Sequence, residues 1–98
     1  GDMAVLATPA MVALMENAAM LAVALHLEEG ETTVGAMIST SHLKPSKIGN
    51  TISAIAELTE VEGRKLTFKI EAYDADQLIG SGEHIRYVVN REKFLAKL

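Results

Sequence analysis

The sequence predicts an α+β domain: one long apolar helix followed by an antiparallel sheet. Three observations lead there. The stretch VLATPAMVALMENAAMLAVAL, from Val5 to Leu25, is almost continuously apolar and dominated by alanine, leucine and methionine, which favour helix. After Gly30 the pattern changes to period-two alternation, the signature of strands. Turn-forming residues then separate the later segments at hairpin spacing. A chain of 98 residues makes one domain, residues 1–98.

Thr8-Pro9 reads as the helix start, with a hydroxyl N-cap followed by proline at the first helical position. The helix is expected to run to His26 or Leu27. Met11, Leu14, Met15, Ala18, Leu21, Ala22 and Leu25 follow helical spacing. Ala10, Val12, Ala13, Ala19 and Ala24 leave the opposite side nearly apolar too, so the helix should be enclosed on most sides. Glu28-Glu29-Gly30 ends it, with two acids that oppose the helix dipole.

The first strand is TTVGAMISTSHL, Thr32 to Leu43, and the second TISAIAELTEV, Thr51 to Val61. In the second, Ile52, Ala54, Ala56 and Leu58 alternate with Ser53, Ile55 and Glu57. Glu62-Gly63 suits a tight hairpin into RKLTFKIEAYD, where Leu66, Phe68, Ile70 and Ala72 share one face. A second turn, ADQ, leads to LIGSGEHIRYVVN, and the tail REKFLAKL is too short to assign. One four-stranded sheet covers one side of a helix. The remaining apolar surface therefore calls for a partner subunit or a further N-terminal element.

Composition narrows the function classes. The chain is 49% hydrophobic, has a net charge of -4 and contains no cysteine. Thiolate chemistry, disulfides and sulfur-held metals are thereby excluded, and a reducing, cytoplasmic setting fits. The nine basic residues are dispersed, unlike the dense patch of a nucleic-acid binder. Pro9, Glu16 and Asn17 interrupt the apolar run and no basic segment precedes it, so a buried helix is expected rather than a membrane span. No phosphate-binding loop, dinucleotide fingerprint, zinc pattern or nucleophile elbow is present.

The polar residues that break the pattern are the candidates for chemistry. Glu16 lies in the middle of the apolar run, where an unpaired buried charge is costly. It is either an edge carboxylate reaching solvent or a catalytic carboxylate tuned by burial towards a general base. Asn17 is its neighbour and either supports it or faces a loop. Thr8 is an N-cap, and its position among free backbone N–H groups also suits an oxyanion. Thr8 and Glu16 are eight residues apart, about 12 Å along a helix, so a joint site needs a substrate or a second chain between them. His42 ends a strand beside the Leu43-Lys44-Pro45 loop, a place where functional groups and merely exposed ones both occur. His84 and Arg86 share a face of the last strand, with Glu57, Glu71 or a phosphate as partners for Arg86. His26 sits in the last helical turn, where it favours the dipole.

These same segments carry a family likeness. VLATPAMVALMENAA, TTVGAMISTSHLKPSKIG, GRKLTFKIEAYD and GEHIRYVV resemble, in order and spacing, the thioesterases of the fluoroacetyl-CoA thioesterase-like family. The likeness spans about Val5 to Phe94. It implies the hot-dog fold, a long helix wrapped by a curved antiparallel sheet, and a homodimer with sheets joined edge to edge, which could pair again into a tetramer. It implies catalytic roles for Thr8, Glu16 and His42, with Gly35 and Arg86 lining or supporting an acyl site near the dimer interface. Members of the family usually carry a further N-terminal segment containing a strand and aromatic lid residues. The sequence opens at GDMAVLATP: either that segment lies outside it, or the protein starts late and the sheet has one fewer strand, and selectivity for a fluorinated substrate is not expected.

The chemistry so implied is hydrolysis of a small acyl-CoA thioester, with CoA as part of the substrate and no other cofactor or metal. His42 would orient water or the carboxylate and protonate the departing thiolate. Glu16 would act as general base or attack the carbonyl, and Thr8 would take up oxyanion charge. Lys44, Lys47 or Arg86 would meet CoA phosphates. Two rivals stand beside this: a non-catalytic hot-dog module that binds acyl-CoA or an acyl carrier, and an enoyl-thioester hydratase. Hydratases of the fold carry an Asp/His arrangement that this sequence lacks. Neither nucleic acid nor membrane is an expected partner.

Overall fold

The computed structural model describes residues 3–98. Helix α1 spans Thr8–Val23 and tightens into a 3-10 turn at Ala24–His26. Four strands follow: β1 Glu31–His42, β2 Ile52–Glu62, β3 Lys65–Asp74 and β4 Gln77–Asn90, with a short helix α2 at Arg91–Ala96. The strands form one antiparallel sheet in the order β1-β4-β3-β2, so β1 and β2 are its edges. The strand limits fall within a residue or so of those the alternation predicts. The unassigned tail is a helix whose N-cap, Asn90, accepts from the Lys93 backbone N–H at 3.0 Å.

Helix and sheet meet along one line of side chains. Met11, Met15, Ala19 and Val23 recur every four residues and are buried, because that spacing stacks them on one helix face. Against them lie Leu66, Phe68, Ile70 and Ala72 from alternate positions of β3, and Ile79 of β4. The helix crosses β2 and β3 above all. Gly80 marks the closest approach: a Cβ there would lie 2.8 Å from the Met11 methyl group. Phe68 is fully buried at the centre. Phe68→Ala is expected to cost about 3–5 kcal/mol through lost burial and the cavity left behind. In a domain this small that approaches the whole stability. Urea unfolding should show it as a lower midpoint at unchanged slope.

Two expectations need restating. One chain does not by itself enclose the helix on most sides: Leu14, Leu21 and Leu25 are 38%, 66% and 96% exposed, since one sheet covers only the Met11–Val23 stripe. The apolar composition thus belongs to two faces, of which this chain buries one. By length and composition Thr8–His26 could cross a membrane, yet its buried stripe supplies four of the nine buried core residues. Nor is Thr8 the N-cap. That position is Ala7, with no side-chain cap bond, and Thr8 is the first helical residue with Pro9 behind it.

The segment before the helix is tied to the loop after β1. Val5 bridges Lys47, and the Leu6 N–H donates to the Ser46 carbonyl at 2.8 Å. This clasp holds the start of α1 against the end of β1. In β1 itself the ladder slips between Gly35 and Met37, leaving Ala36 as an extra residue. Such bulges bend a strand and re-aim its side chains.

Candidate active site

The clasp brings together the first pair of candidates. Thr8 Oγ1 and His42 Nδ1 are 2.9 Å apart, joining the first turn of α1 to the last residue of β1. The Thr8 hydroxyl is free for this bond because Ala7, not Thr8, caps the helix. His42 Nε2 is buried and has no hydrogen-bond partner among the described residues. The pair borders a hollow of about 320 Å³ that also takes in Leu6, Leu43, Lys44 and Pro45. A histidine held by a hydroxyl at one nitrogen, with the other unspent, is equipped to relay a proton.

The second group lies beside Gly35 in the first half of β1. Glu16, two turns along α1, faces Gly35, whose register partner on β4 is Arg86. A Cβ on Gly35 would sit 3.3 Å from Arg86 Nη1, 3.5 Å from His84 Cε1 and 3.6 Å from Glu16 Oε2. The missing side chain therefore leaves room where a carboxylate, a guanidinium and an imidazole converge. Glu16, Asn17, Met20, Gly35, His84 and Arg86 all border a cavity of about 560 Å³.

Arg86 is nearly fully buried and must place its donors, since an unpaired buried charge is expensive. Its Nε donates to Thr33 Oγ1 at 2.8 Å, Nη2 to the Thr33 carbonyl at 2.9 Å and Nη1 to His84 Nε2 at 3.3 Å. Burial pushes the guanidinium below its ordinary range, and the Glu16 carboxylate works against that. The expected pairings with Glu57 or Glu71 do not form. Glu57 sits opposite Lys69 on the β2–β3 ladder, while Arg86 turns to Thr33 and His84. With 5% of its surface exposed and these donors committed, Arg86 is not placed to meet a CoA phosphate.

The five candidates thus fall into two groups in one chain, Thr8 with His42 and Glu16 with Gly35 and Arg86. Seven residues of β1 separate Gly35 from His42, on the order of 20 Å of strand. Sequence reasoning missed Thr33. The available signal was period two: Thr33 shares a face with Gly35, opposite an arginine that needs acceptors. Among the described residues no three acidic or histidine side chains converge to hold a metal ion.

Residues 1–92 match the family described as fluoroacetyl-CoA-specific thioesterase. The fluoroacetyl-CoA thioesterase of Streptantibioticus cattleyicolor is 45% identical over 94 residues, which are 96% of this chain and 68% of that protein. A crystal structure of a single-residue variant of the fluoroacetyl-CoA-specific thioesterase, in complex with fluoroacetate and CoA, superposes with a TM-score of 0.90 at 45% identity, covering 95% of this chain and 73% of that one. A Thermus thermophilus thioesterase superfamily member superposes at 0.92 with 30% identity, covering 97% and 70%. The chain therefore belongs to the fluoroacetyl-CoA-specific thioesterase family and has its hot-dog fold.

Proposed function

We propose that the protein hydrolyses a small acyl-CoA thioester to the free acid and CoA, at a site completed by a second copy of the chain. The observation that carries this is the Thr8–His42 hydrogen bond with the unspent His42 Nε2, in a chain whose relative acts on fluoroacetyl-CoA. The crystal structure of the similar fluoroacetyl-CoA-specific thioesterase variant with fluoroacetate and CoA supports the substrate class.

The second copy follows from the strand order. β1 is an edge, and a strand edge with its apolar neighbours exposed is a template for pairing. Two β1 strands paired antiparallel about a two-fold axis near Ile38 and Ser39 would set Gly35 of one opposite His42 of the other. Glu16, Gly35 and Arg86 of one protomer would then face Thr8 and His42 of its partner, giving two identical sites per dimer. The same pairing offers cover to the exposed side of α1.

In such a site Glu16 takes a proton from water as the water oxygen attacks the thioester carbonyl, or attacks that carbonyl itself to form an anhydride that water then opens. Thr8 donates its hydroxyl proton to His42 Nδ1, which keeps the imidazole proton on Nε2, and the free backbone N–H at the helix start receives the oxyanion. The C–S bond breaks, and the departing CoA sulfur takes its proton from His42. Lys44 and Lys47, on the exposed loop beside the Thr8–His42 hollow, are the basic groups available to the CoA phosphates. Thiol release from a panel of short acyl-CoAs tests the reading. Turnover on at least one is expected. None on any would leave the rival reading, a module that binds acyl-CoA or an acyl carrier without cleaving it.

A further inference from the structure

The mechanism above uses neither His26 nor His84, and His84 is the most deeply buried imidazole, at 1% exposure. Its two ring nitrogens have fixed partners. Nδ1 lies 2.7 Å from the Met37 carbonyl, just past the β1 bulge, and Nε2 lies 3.3 Å from Arg86 Nη1. A carbonyl oxygen only accepts and a guanidinium only donates. The proton must therefore sit on Nδ1, and Nε2 must be the acceptor. No other assignment satisfies both bonds.

That assignment gives the residue a task. Arg86 is held at three points: two on Thr33 and one on His84. The Thr33 bonds fix the Nε and Nη2 side of the guanidinium, and the bond to His84 fixes Nη1. Nη1 is the nitrogen nearest to the space that Gly35 leaves beside Glu16 Oε2. A guanidinium free to tilt there would change both the field at the Glu16 carboxylate and the shape of the cavity. The bulge at Ala36 contributes as well, because it lies between Gly35, which makes the space, and Met37, whose carbonyl orients the ring.

We propose that His84 is a positioning residue, locked as the neutral Nδ1–H tautomer, that holds Arg86 Nη1 against Gly35 and Glu16. It touches no reacting atom and acts through Arg86. This rests on the thioester-hydrolase reading of the site, but the ring's protonation pattern can be read without any substrate.

The experiment has two arms on the full chain. In the first, 15N NMR of the histidine rings in the wild-type protein should show His84 with a protonated Nδ1 and an unprotonated Nε2. A proton on Nε2 would overturn the proposal whatever the enzyme does. The second arm compares His84→Gln with His84→Asn in acetyl-CoA hydrolysis, or hydrolysis of the best substrate of the panel. The glutamine amide oxygen reaches the Nε2 position and can accept from Arg86. Asparagine is one carbon shorter and reaches only the Nδ1 position, where it serves Met37 alone. His84→Asn should lose at least about tenfold in kcat with a much smaller change in KM, as expected for a misplaced group, and His84→Gln should recover most of that loss. The Arg86 side-chain 15N signal should shift in the asparagine variant and return towards wild type in the glutamine variant. Equal losses in the two variants, or an Arg86 signal indifferent to both, would mean that His84 merely packs beside Phe68, whose ring centre is 6.3 Å away. If neither variant folds, the tautomer arm decides alone. A wild-type chain with the required tautomer but no turnover would sink the hydrolase reading and leave the geometry of Arg86 standing.

Discussion

Glu16→Gln should lower kcat by at least about 100-fold on whichever short acyl-CoA the wild type hydrolyses best, with the fold and the assembly unchanged. The substitution keeps size, shape and helix propensity, since glutamate and glutamine are close to equal in a helix. It removes the charge and the basic oxygen. Glu16 is only half-buried and is not among the residues that form the core, so the helix does not depend on it. Its neighbours explain why the loss should be large. The carboxylate faces the gap at Gly35 within the field of Arg86, whose hydrogen bonds go to Thr33 and His84, so glutamine removes the base or nucleophile while leaving those bonds in place. Far-UV circular dichroism and gel filtration of the variant separate a catalytic loss from a folding one. Equal turnover in the two proteins would make Glu16 a bystander carboxylate, the bland reading that its place in an apolar run also allows.

How much of this was legible in the sequence depends on the range of the interaction concerned. The strands were legible because their cause is local. Leu66, Phe68, Ile70 and Ala72 occupy alternate positions, and all four are buried. The turns were legible for the same reason, though the first falls at Gly63-Arg64, one residue past the expected Glu62-Gly63, and the second at Ala75-Asp76 within the expected ADQ. Helix α1 was legible as a helix but not in its surroundings. Alanine and leucine favour helix wherever they stand, and a stripe awaiting a partner reads the same as one already covered. Thr8 shows the limit most directly. A threonine before proline is a good cap by local rules, yet its hydroxyl goes to His42, thirty-four positions away, through the Val5–Lys47 clasp. Arg86 is a second case, since its partners Thr33 and His84 are set by the β1–β4 register and not by any local motif. The family likeness named Thr8, Glu16, His42, Gly35 and Arg86 together. Their division into two groups, seven positions apart along β1, follows from strand direction, which no residue pattern states.

That division makes the strongest prediction, because the proposed dimer across β1 would complete each site from two chains. Glu16→Gln removes the carboxylate that one protomer supplies, and His42→Ala removes the imidazole that its partner supplies. In a heterodimer of the two variants, one site lacks both groups and the other lacks neither. The measurement is thioester hydrolysis by that heterodimer, co-expressed with two different tags and purified through both, beside each parent homodimer. A site shared between protomers predicts about half the wild-type turnover per dimer from two parents that each have almost none. A heterodimer as inactive as its parents would place Glu16 and His42 of each working site in the same chain, and would contradict the account.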